Sequence, residues 1–76
     1  MEFVIVEFPD RREVLVDGIS YGDNRDATDY RILQVPEGLH RFRLRGPDNY
    51  LPLWLTLDVT DTDPVSPLRV VFTKKV

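Results

Sequence analysis

Cysteine is absent from this 76-residue chain, and histidine, tryptophan and methionine occur once each. Without cysteine there is no disulfide, no thiolate metal site and no thiol nucleophile. The single histidine, His40, has no serine–base arrangement around it, and catalysis needs a positioned partner. His40 therefore reads as a hydrogen-bonded structural residue, and the chain reads as a non-enzyme with no catalytic residue and no cofactor. Glycine is scarce as well. The four glycines stand apart, each accounted for by a turn, so there is no glycine-rich phosphate loop. Helix signals are nearly missing: no stretch combines a 3.6-residue period with good caps, and six prolines interrupt the chain. No apolar run approaches the roughly 18 residues that a membrane-spanning helix requires. Met1-Glu2-Phe3-Val4 lacks the basic start of a signal peptide, and no small-residue cleavage site follows. Location stays open on these grounds, and is cytoplasmic if Met1 is the native start.

What the chain does contain is strand-forming sequence. Apolar residues make up 42% and charged residues 30%, the balance of an ordinary globular protein, and the length allows one domain, residues 1–76. The net charge of −3 argues mildly against bulk nucleic-acid binding, though not against a local basic patch. Residues 2–8 are β-branched and aromatic and read as a buried strand ended by Pro9-Asp10. Residues 13–17 form a second strand closed by the turn pair Asp17-Gly18, with a brief strand over 19–21 after it. Residues 22–29 read as a polar loop. Strands over 30–35, 39–45, 50–59 and 67–75 complete the chain. Pro36-Glu37-Gly38 reads as a three-residue hairpin loop and residues 46–49 as a second turn. Pro52 would sit badly in a central ladder, so the side where an N–H would point faces an edge or a bulge. Short strands at regular spacing mean a sandwich or barrel.

Turn lengths then suggest a register. A hairpin at 36–38 sets Ile32 opposite Phe42 and Tyr30 opposite Leu44. A four-residue loop at 46–49 sets Leu44 opposite Leu51, Phe42 opposite Leu53 and His40 opposite Leu55. The predicted core face holds Tyr30, Ile32, Phe42, Leu44, Leu51, Leu53, Leu55 and Leu57, joined by Val70 and Phe72. The first strand adds Val4, Val6 and Phe8, or else Phe3 and Ile5. A slip of one residue would turn the leucines to water, which supports the pattern. The opposite face carries Arg31, Arg41, Arg43 and Arg45, with Tyr50 and Trp54 across the next strand. On it Arg41 faces Trp54, Arg45 faces Tyr50, and Arg31 opposes Arg43. That last pair is like-charged and calls for a carboxylate or an anionic partner nearby. Arginine stems and guanidiniums covering aromatic rings offer a purely structural explanation of the same face, at about 0.5–1 kcal/mol per exposed contact.

Val14–Tyr50 resembles the PEGA domain, a family named for a Pro-Glu-Gly-Ala tetrapeptide. Pro36-Glu37-Gly38-Leu39 stands in that place here. Val14-Leu15-Val16-Asp17-Gly18 looks like the family's V-x-V-D-G, Gly22 like its second glycine, Gly38-Leu39-His40 like its G-x-H, and Tyr50 like its following tyrosine. Asp26-Ala27-Thr28-Asp29 replaces the usual Thr-Pro, and residues 47–49 split the usual Gly-Tyr pair. The resemblance implies a small β-sandwich accessory module without chemistry of its own, of the kind found in envelope and cell-surface proteins or appended to signalling proteins.

The expected fold is all-β: a small antiparallel β-sandwich, Ig-like or PEGA-like, of about six or seven short strands. The expected function is a non-catalytic interaction module that meets a protein partner through a sheet face or edge, as a monomer or weak dimer. The alternative is a ligand-binding module for carbohydrate or single-stranded nucleic acid on the Arg/Trp/Tyr face. Partner-binding residues in either reading are Arg31, Arg41, Arg43, Arg45, Tyr50 and Trp54. Asp58, Asp61 and Asp63 cluster in a loop that lacks the spacing of a calcium loop, and Asp23, Asn24, Asp26 and Asp29 form another acidic loop. They would form a weak calcium site only if they met at one end. Otherwise they are solvated turns, with aspartates capping backbone N–H groups.

Overall fold

The computed structural model describes residues 1–75. Among them there is no helix, and so none long and apolar enough to cross a membrane. The described residues form nine strands in three sheets, more strands than the six or seven expected. Strand β1 (Glu2–Glu7) buries Val4 and Val6 completely, and Phe8 follows them inward, while Phe3 and Ile5 stay half-exposed. Of the two faces that sequence alone left open, the Val4/Val6/Phe8 face is therefore the core.

Strands β2 (Glu13–Val16) and β3 (Ile19–Asp23) form a hairpin, with Val16 paired to Ile19. The two loop residues, Asp17 and Gly18, have φ of 53° and 80°. Positive φ at both positions is the type I′ geometry whose twist matches the flanking strands, which is why Asp-Gly is favoured there.

Beyond this hairpin the chain departs from expectation. Strand β4 (Leu33–Val35) does not turn back on strand β5 (Gly38–Leu44). It pairs antiparallel with β1, Glu2 against Val35, while β5 lies in another sheet between β2 and β7 (Leu55–Val59). Residues 36–38 are thus a crossover between sheets rather than a hairpin loop, with Gly38 at φ 125°. Moving β4 away from β5 removes the Arg31–Arg43 opposition, a destabilising like-charge pair. It also reverses the facing of the segment: Leu33 and Val35 are buried, Ile32 is 46% exposed and Tyr30 is half-buried.

The long strand expected over 50–59 is two strands. Strand β6 (Tyr50–Leu51) pairs with β9 (Thr73–Lys74), Tyr50 against Lys74. A cis Leu51–Pro52 bond follows, and β7 begins at Leu55. The β5–β7 register sets Phe42 against Leu55 and His40 against Leu57, two residues from the expected one. An even shift preserves the faces, so Phe42, Leu55 and Leu57 still point inward. At Pro52 the alternation breaks: Tyr50 is fully buried and Leu51 is 49% exposed, the reverse of the sequence reading.

Strand β8 (Leu68–Val71) completes the sheet order β4-β1-β8, and its pairing with β1 is parallel, Val4 beside Leu68. All other pairings are antiparallel. One core receives residues from all three sheets, including Val4 and Val70, Val14 and Phe42, and Tyr50. Each fully buried side chain of this size contributes about 1.5–3 kcal/mol relative to exposure.

Candidate interaction surface

The surface follows from the alternation of β5. His40, Phe42 and Leu44 point inward, so Leu39, Arg41 and Arg43 point out. Arg41 pairs with Thr56 of β7 and Arg43 with Leu15 of β2. The Arg41 Cζ lies 5.7 Å from the centre of the Trp54 ring, itself 55% exposed. Beside them is an open depression of about 490 Å³ lined by Asp17, Gly18, Leu39, His40, Arg41, Arg43 and Thr56.

One rim of the depression is held by a fixed ion pair. His40 Nε2 is 2.6 Å from the Pro36 carbonyl oxygen and Nδ1 is 2.6 Å from Asp17 Oδ2. A carbonyl and an ionised carboxylate only accept, so this geometry suits the ring protonated on both nitrogens. The hydrogen bond to Asp17 is the main reason that His40 titrates above its ordinary value. Asp17 in turn is held below the usual carboxylate range, first by His40 and then by the Arg41 N–H, which donates to Oδ1 at 2.9 Å. These contacts tie the tip of the β2–β3 hairpin to the 36–38 crossover. His40 is therefore structural, joining two loops rather than two faces of one sheet.

Of the six site residues expected from sequence, the structure brings Arg41 and Trp54 into contact and sets Arg43 two residues along the same face. The other three lie elsewhere. Arg31 packs over Gly22, where an added Cβ would approach its Nη1 to 2.8 Å, and donates to the Asp23 carbonyl at 3.2 Å. Arg45 pairs with Glu13 at 3.2 Å instead of facing Tyr50. Tyr50 is in the core, its hydroxyl donating to the Leu44 carbonyl at 2.9 Å and accepting from the Leu44 N–H at 3.2 Å. The parity break at Pro52 puts it there.

Two residues with structural roles went unread in the sequence. Arg12 donates to the Arg45 carbonyl at 2.7 Å, the Pro47 carbonyl at 2.7 Å and Asn49 Oδ1 at 2.8 Å. Its guanidinium also lies over the Phe8 and Tyr50 rings. Asn24 is fully buried; its Oδ1 accepts from Arg12 N–H at 2.8 Å and its amide donates to the Asp10 carbonyl at 3.3 Å. Only the turn-forming character of the segment around Asn24 hinted at this.

The acidic loops are turns. Asp26 accepts from the N–H groups of Thr28 and Asp29, both at 2.9 Å, which lowers its pKa. Asp63 accepts from Val65 and Ser66 N–H in the same manner. Among the described residues no three His, Cys, Asp or Glu side chains come together as a metal-binding group.

No family model matches the chain, and no curated protein or solved structure shows significant similarity to it.

Proposed function

We propose that the chain is a non-catalytic interaction module of PEGA-like β-sandwich type, which meets a protein partner through the outer face of the sheet β3-β2-β5-β7. The observation that carries this reading is the composition of that face. Trp54 and Leu39 are 55% and 70% exposed beside Arg41 and Arg43. Tryptophan and arginine are the side chains that most often carry interface binding energy. The sandwich reading is supported by the single core shared between sheets and by Tyr50. Its hydroxyl is tied to backbone six residues upstream, as in the tyrosine corner of immunoglobulin-type domains.

The test is affinity capture with the intact chain and with an Arg41→Glu, Trp54→Ala double variant of unchanged melting temperature. A partner retained by the first and lost by the second supports the face. A partner retained by both refutes it. The chain is taken to be monomeric or weakly dimeric, which light scattering at rising concentration checks.

A further inference from the structure

Resting on that reading of the face, we infer that the partner presents an extended acidic segment. Two of its carboxylates, on alternate residues, engage Arg41 and Arg43, and an apolar neighbour covers Trp54.

The first support is a difference among the arginines. Six of the eight hold an acceptor within the chain: Arg11, Arg45 and Arg69 have carboxylates, and Arg12, Arg25 and Arg31 have carbonyls. Among the described residues, Arg41 and Arg43 are the two whose guanidiniums donate to no acceptor. Asp17, the carboxylate lining the same depression, has Oδ2 on His40 and Oδ1 on a backbone N–H. Each free guanidinium offers donors in the fork geometry that a carboxylate accepts bidentately.

Spacing supplies the second support. Alternate residues on a strand stand about 6.6–6.8 Å apart. Arg41 and Arg43 therefore match the repeat of carboxylates on every other residue of an extended segment lying along β5. The apolar requirement comes from Trp54, which precedes Leu55 at the Arg43 end of β5 and lies against Arg41; Leu39, across from Asp58, marks the other end of the strand.

The third support separates a protein segment from a nucleic acid. Single strands are held by successive aromatic platforms, one per base. Burial of Tyr50 leaves Trp54 as the exposed aromatic of this face, with Arg41 over its ring.

Trp54 is the sole tryptophan, so its fluorescence reports on this face alone. The probe is a short synthetic extended peptide with two glutamates flanking a valine and a leucine after them, compared with its glutamine analogue. The glutamate peptide is expected to give a saturable change. Binding should weaken at least about tenfold for the glutamine analogue and for Arg43→Gln, whose melting temperature should match the parent. It should also vanish near 1 M salt, where the screening length is about 3 Å. Equal binding of the two peptides, binding of neither, or displacement by single-stranded oligothymidylate at comparable concentration would overturn the inference. If neither peptide binds yet the double variant still loses its captured partner, the acidic segment is wrong and the contact face stands. If the double variant keeps its partner, the face itself is wrong.

Discussion

Arg12 and Arg43 carry the same group into opposite circumstances. Arg12 leaves the 8–12 segment, crosses two aromatic rings and fills its donors with the acceptors of the 45–49 turn. Arg43 stands on the outer face of β5 with no acceptor from the described chain. The contrast extends to their neighbourhoods. Around Arg12, Asn24 and Tyr50 are buried and hydrogen-bonded, and among the described residues no buried side-chain polar atom lacks a partner. Around Arg43 the polar groups face water. Charge on this molecule therefore does two kinds of work, and only the second kind is free to meet another molecule.

That contrast predicts a gradient of mutational effects. Tyr50→Ala removes a fully buried ring that packs edge-on against Phe8 and Phe72. The expected loss is about 3–5 kcal/mol, read by denaturant unfolding. Asn24→Ala should cost about 1–3 kcal/mol, because the fully buried Asn24 amide is lost and Arg12 N–H and the Asp10 carbonyl lose their partner. Arg12→Ala should follow at about 1–2 kcal/mol, and Arg12→Lys should recover only part of it, since a point charge cannot serve three divergent acceptors. Equal melting temperatures for Arg12→Ala and the parent would erase the distinction between the two arginines.

The Asp17–His40 pair lies between these regimes, and pH resolves it. His40 is raised above 6.5, so its contribution is complete below that value and fades as pH rises through the folded-state pKa. Asp17 is lowered below 3.8, so its contribution holds above that value and fades as pH falls through the folded-state pKa. The pair should stabilise most between these limits. His40→Gln should flatten the alkaline limb of the stability–pH curve while leaving the acid limb of the other carboxylates in place. Last comes Arg43→Ala, expected to change stability by no more than about 0.5 kcal/mol. A larger loss would show that Arg43 is structural after all.

How much of this was legible in the sequence depended on the range of the interaction. The β2–β3 hairpin was, because Asp17-Gly18 specifies its own geometry. The inward set Val14, Val16, Phe42 and Leu44 was, because alternation on one strand is local. The Arg41–Trp54 contact was foreseen, although the register beneath it was two residues off, because an even shift conserves the face. By contrast, Pro36-Glu37-Gly38 has hairpin chemistry, and nothing in a turn says which sheet the next strand joins. Tyr50 and Leu51 were exchanged because alternation was carried through Pro52, where it breaks. Arg12 was invisible: the acceptors of its guanidinium lie more than thirty positions away and are mostly carbonyls, which every residue has.

The parallel pairing of β1 with β8 sets Val4 beside Leu68. A contact spanning so much of the chain must close a large loop before it is rewarded, and folds dominated by such contacts form over about milliseconds to seconds. β1 therefore waits for β8, more than sixty residues after it. Until then β1, with its uninterrupted apolar run from Phe3 to Val6, has one of its two strand neighbours missing. Its safety during synthesis rests on β4 reaching it first.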